Sequence, residues 1–159
     1  MVGETAGAAD DAPWSGFRFV RDVVPSGHRI HVHNLAIAEL LFDARNAYIA
    51  EGVGLSWQRL FDTQRNLVMR RLVIDYEREA HDGVALKVGV RAAGRSRRTL
   101  TLDEVVWGAE SGLPIVVAQS VHLVVRLDAP GAIDLPDDVV QQFEAYEERP
   151  LSARLSSRR

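Results

Sequence analysis

Three of the chain's five histidines stand in one short polar segment, Gly27-His28-Arg29-Ile30-His31-Val32-His33. An imidazole titrates near ~6.5, so each could move a proton at neutral pH without much tuning. His31 is the best candidate for a general base, and its plainer reading is a loop histidine bonded to backbone. His28 and His33 read as solvent-facing. Asn34 follows directly and suits a helix N-cap, while Glu39 places a carboxylate one to two turns further on. A trio of histidines raises the question of a metal, but a loop without a placed carboxylate makes a poor cage. Cysteine is absent, which excludes thiolate nucleophiles, disulfides and cysteine-ligated zinc or iron–sulfur sites. Neither a metal nor another cofactor is expected. A second cluster, Arg95-Ser96-Arg97-Arg98, has the fork-shaped donors that grip anionic oxygens, with a solvated turn as the alternative.

The elements that must hold these residues follow from pattern. Asn34 to Glu51 forms the one long helix, ending before Gly52 and Gly54. Leu35, Ile37, Leu40, Leu41, Phe42, Ala44, Tyr48 and Ile49 cover most of its surface, and Glu39, Asp43 and Asn46 form one narrow polar stripe. Such a helix is expected to be central and buried. Phe17, Phe19, Val23 and Val24 suggest a short first strand. After a loop containing Trp57, four strands are expected at 67–79, 84–93, 97–107 and 115–127. In the second, Leu86, Val88 and Val90 alternate with Lys87, Gly89 and Arg91. Short polar turns between strands predict a mainly antiparallel sheet. A last helix is expected at 137–147, after Pro136.

The 159 residues are 47% hydrophobic and 26% charged, which fits one domain with a sizeable core. The folded unit is expected over 14–150, with disordered tails at 1–13 and 151–159. With 22 acidic against 19 basic residues, the balance argues against a nucleic-acid binder. No apolar run reaches the ~18 residues of a spanning helix and the N-terminus lacks a secretory pattern, so a cytoplasmic protein without a membrane partner is expected.

A strand, a long buried helix and four long antiparallel strands describe an α+β hot-dog fold, a curved sheet wrapped round one helix. The segment HVHNLAIAELLFDAR (31–45) resembles the signature of the 4-hydroxybenzoyl-CoA thioesterase family, in which Gly-His-Val-Asn-Asn leads into the central helix and Glu-Ala-Arg closes its core. His31, Val32, Asn34, Ala44 and Arg45 match it, with Asp43 for the Glu. IDYEREA (74–80) resembles the family's Tyr-x-x-Pro-Ala, GRSRRTLTLDEVVW (94–107) its Gly-Arg-Ser-Ser strand start, and RLDAPGAIDLPDDV its passage into the terminal helix.

The resemblance implies an acyl-CoA or acyl-carrier thioesterase that works as a dimer or a tetramer of dimers. The thioester carbonyl would sit at the N-terminus of the central helix, where unsatisfied N–H groups and the helix dipole stabilise an oxyanion. Arg95, Ser96, Arg97 and Arg98 would hold the nucleotide end of CoA. The family's loop aspartate falls at Gly27, and the Gly before the motif histidine is Ile30. Glu39 is the leading replacement carboxylate, its plainer reading being a solvated or interface group, with His31 next and Asn34 shaping the oxyanion site. Arg45, about 20° round the helix from Asn34 and about three turns along, is expected to be buried against a carboxylate. A hot-dog dehydratase or hydratase and a non-catalytic acyl-thioester-binding or assembly protein are the competing readings.

Overall fold

The computed structural model describes residues 12–27 and 31–152. Five antiparallel strands, β1 (Phe19–Val23), β2 (Arg65–Tyr76), β3 (Leu86–Arg95), β4 (Thr99–Gly108) and β5 (Pro114–Arg126), form one sheet in the order β1-β3-β4-β5-β2. All lie close to their expected bounds. Strands β3, β4 and β5 are successive hairpins. The turn at His81-Asp82-Gly83 does not make a hairpin, however. It carries the chain across the sheet, and β2 pairs with β5 from Arg65↔Arg126 to Tyr76↔Val116. Strand β2 is therefore an edge.

Helix α1 (Asn34–Ala47) lies against the concave face and continues as a π-helical turn over Tyr48–Gly52. Ile37, Leu41, Ala44 and Tyr48 pack on the inward residues of the sheet, among them Val88, Val90, Leu102, Val106, Val116 and Val124. The helix is not buried all round, as its composition suggests. Leu35 and Phe42, two turns apart, are 68% and 55% exposed. Seven positions apart, the two share one side of the helix and leave an apolar strip exposed there. The N-cap is His33 rather than Asn34: its Nδ1 accepts from the Ala36 amide at 3.3 Å, and Asn34 is the first helical residue.

Two smaller helices complete the chain. Helix α2 (Trp57–Asp62), capped by Ser56, stands where a loop was expected. Helix α3 (Asp137–Glu147) has its expected bounds and is tied to α1: Tyr48 Oη donates to Glu147 Oε1 at 2.6 Å, and the Ala92 amide donates to both. That amide is free to do so because the pairing of β1 with β3 ends at Phe19↔Val90, two residues short of it. Beyond α3, Leu151 is buried and its amide donates to Glu144. On the convex face, Phe17 and Trp107 meet edge to face over Gly89, where a Cβ would come within 2.8 Å of Trp107.

Candidate functional site

The N-terminus of α1 lies where the chain passes from the edge of the sheet to its concave face. Val32 N donates to Ala80 O, His31 bridges to His81, and Tyr76 Oη donates to Asn34 O at 3.3 Å. The Ala36 amide is taken by the His33 ring and that of Ile37 by His33 O. Among the described residues nothing accepts from the amides of Asn34 and Leu35, both exposed residues, so these are the unsatisfied leading donors of the helix.

Two clefts flank this point. One, about 860 Å³, runs along α1 beside β1 and is lined by Ser26, His33, Ala36, Glu39, Asp43 and Trp57 among others. The other, about 280 Å³, holds His31, Asn34, Tyr76 and Glu79. Glu39 and His31 thus open on different sides. Five residues separate Asn34 from Glu39, a rotation of about 140°. His28 lies outside the described residues. Gly27 has φ +88°, and a side chain there would meet no atom within 4 Å. An aspartate at that position would have room but a strained backbone.

The Arg95–Arg98 turn lies at the other end of the sheet. Leu86 at the start of β3 faces Val23 and Gly108, near the helix N-terminus, whereas Ala92 contacts Tyr48 near the helix C-terminus. Nine residues of strand, about 30 Å, separate Leu86 from Arg95. Arg97 and Arg98 are exposed and share Asp134. Arg95 is half-buried, and its Nε is enclosed without a partner. Within one protomer these arginines do not reach the amides of Asn34 and Leu35. Arg70 and Arg71, which a regular strand would send to opposite faces, sit at a bulge after Met69.

Beneath the middle of α1 is a polar group that sequence reasoning missed except for one member. Arg45 is buried against a carboxylate, as expected: its Nε and Nη2 donate to Oε1 and Oε2 of Glu104, both at 2.8 Å. Ser120 Oγ donates to Glu104 Oε1 at 2.5 Å, and His122 Nε2 lies 2.9 Å from Ser120 Oγ. Burial, helped by the Arg45 charge, pulls the His122 pKa down to about 4. His122, Arg45 and Asn46 line a 240 Å³ cavity whose other walls are Phe42, Ile49, Trp57, Leu67 and Met69. The missed signal was parity. Glu104 shares the inward register of Leu100, Leu102 and Val106, and Ser120 and His122 share that of Val116, Ala118 and Val124.

No family model matches the sequence, and none of the curated proteins does. Solved structures do match. A Synechocystis 1,4-dihydroxy-2-naphthoyl-CoA thioesterase superposes with a TM-score of 0.68 at 19% identity, over 81% of this chain and 94% of that one. The chain has the hot-dog fold. A hypothetical protein of Staphylococcus aureus, in complex with CoA, matches this hot-dog chain with a TM-score of 0.74 at 14% identity, over 87% and 89%. A 12:0-ACP thioesterase of Umbellularia californica matches with 0.71 at 16%, over 87% of this chain and 60% of that one. Among the described residues no helix is long and apolar enough to cross a membrane, and no group of three His, Asp or Glu is placed to hold a metal ion.

Proposed function

We propose that this hot-dog protein hydrolyses the thioester of an acyl-CoA or an acyl-carrier protein. The observation that carries the reading is the open N-terminus of α1. The unsatisfied amides of Asn34 and Leu35 can donate to the thioester oxygen as it becomes an oxyanion, in clefts that offer Glu39 on one side and His31 on the other. A carboxylate or imidazole takes a proton from water, the hydroxide oxygen bonds to the carbonyl carbon, and the C–S bond breaks to release the thiolate, which takes up the proton. Glu39 is the first candidate for the base, with His31 second.

The arginine turn joins the site only through a second copy. Two β2 edges pairing antiparallel would place the Arg65 end of one sheet, the end that carries Arg95–Arg98, beside the Tyr76 end of the other. The exposed Leu35, Phe42, Met69 and Val73 along this edge support such a dimer, and with it an anion grip for CoA phosphates supplied in trans. Gly27 favours a second reading, a binding protein without hydrolysis, because it leaves the loop without a carboxylate.

The test is thiol release from a panel of acyl-CoAs by the wild-type chain, Glu39→Gln and His31→Ala. Turnover in the wild type that falls at least roughly a hundredfold in one variant supports the reading and names the base. Background rates throughout, with CoA still bound, would establish the binding protein instead.

A further inference from the structure

The cavity under the C-terminal half of α1 contains a hydrogen-bond acceptor whose orientation can be worked out from its neighbours. Both Glu104 oxygens accept from Arg45, so the carboxylate is charged and can only accept. Ser120 must then direct its single proton to Glu104, which leaves its lone pairs for the nitrogen of His122. That nitrogen, Nε2, therefore carries the hydrogen. With the ring neutral, Nδ1 is bare. His122 is 3% exposed, and no other described group bonds its ring. Nδ1 is the ring nitrogen left without a partner among the described residues, and His122 lines the cavity. Phe42, Trp57 and Met69, each more than a third exposed, form the apolar rim.

We propose that this cavity binds an apolar group carrying one hydroxyl, which donates to Nδ1 of His122 while the hydrocarbon packs on Ile49, Leu67, Met69 and Trp57. The hydroxyl can belong to a free alcohol or to a hydroxylated acyl chain. The second source rests on the thioesterase reading. Arg45 and Asn46 lie roughly 17 Å along the helix from Asn34, so only the far end of a long chain would reach the cavity.

Binding of 1-hexanol and of methyl pentyl ether, equal in heavy atoms, to the full chain separates these ideas. Titration calorimetry should show hexanol at least roughly fivefold tighter, with an upfield shift of the His122 Nδ1 resonance in 15N spectra. In His122→Leu the two probes should bind alike. In Ser120→Ala, which frees the ring to place its proton on either nitrogen, the gap should narrow. Equal affinities in the wild type would overturn the proposal, as would binding of neither probe, the behaviour of a cavity that holds water alone. The source is read separately, from thiol release by an ω-hydroxy long-chain acyl-CoA and its unhydroxylated counterpart. A higher kcat/KM for the hydroxylated chain, lost in His122→Leu, assigns the cavity to the substrate. A hexanol preference without any difference in hydrolysis assigns it to a free alcohol, and absence of all hydrolysis then counts against the thioesterase reading alone.

Discussion

Removing either partner of the Arg45–Glu104 pair should destabilise the protein far more than removing both. The two side chains are 4% and 0% exposed and joined by two parallel hydrogen bonds at 2.8 Å. Arg45→Met strands a carboxylate in the core with only Ser120 to solvate it, and Glu104→Leu strands a guanidinium. Breaking a buried pair from one side costs about 3–5 kcal/mol, a large part of the ~5–15 kcal/mol that holds a domain together. For a chain of this size that loss lowers Tm by roughly 6–20 °C. The double variant Arg45→Met/Glu104→Leu leaves no charge behind. Ser120 loses its acceptor but can turn its proton to His122 Nε2, and the ring can shift its own hydrogen to Nδ1. The double variant should therefore lie within about 1 kcal/mol of wild type, or above it. Urea unfolding of all four proteins at pH 7, followed by circular dichroism, measures the cycle. Single variants that lose less than ~1 kcal/mol, or a double variant whose loss equals their sum, would refute the account of the pair as mutually dependent.

The remaining expectations concern other parts of the molecule. With His122 near 4 when folded and ~6.5 when unfolded, the unfolded chain takes up a proton first as pH falls, so about 3 kcal/mol of stability should be lost between pH 6.5 and 4. Urea midpoints across that range should show the slope in wild type and a weaker one in His122→Leu. Tyr48→Phe, which takes from Glu147 its hydroxyl donor, should cost ~1–3 kcal/mol in the same assay. Arg97→Ala/Arg98→Ala should weaken CoA binding roughly tenfold by calorimetry while moving Tm by no more than about 2 °C, since both side chains are solvent-facing and share one aspartate. The dimer proposed through the β2 edge should be lost in Phe42→Asp, which would run as a monomer in light scattering with an unchanged far-ultraviolet spectrum, because Phe42 is more than half exposed on the helix.

What the sequence disclosed was whatever repeats with the period of a helix or strand. The alternation of Leu86, Val88 and Val90, the long apolar run after Asn34 and the Pro136 start of α3 located their elements closely. Features one residue long escaped. The bulges after Met69 and Ala92 and the π-helical turn at Tyr48 each add a residue to a regular element and leave no period behind. Helix α2, at six residues, is too short to show one. Arg45 could be assigned to a buried pair from its place on the helix, but its partner could not, because Glu104 stands 59 positions away and only the register of β4 turns it inward. The placement of Glu39 and His31 on different sides of the helix N-terminus was likewise a matter of three dimensions.

The three tryptophans are distributed so that the protein reports on itself spectroscopically. Trp14 and Trp107 stand edge to face at 6.0 Å on the convex face, close enough for the strong indole transitions to couple and give a signed couplet in the far-ultraviolet circular dichroism. Trp57 stands apart, at the rim of the cavity under α1. Detachment of the segment before Phe17 would erase the couplet, whereas filling of the cavity would change the emission of Trp57 and leave the couplet intact. Two events on opposite faces of the sheet can thus be followed in one unlabelled sample, each by its own optical signal.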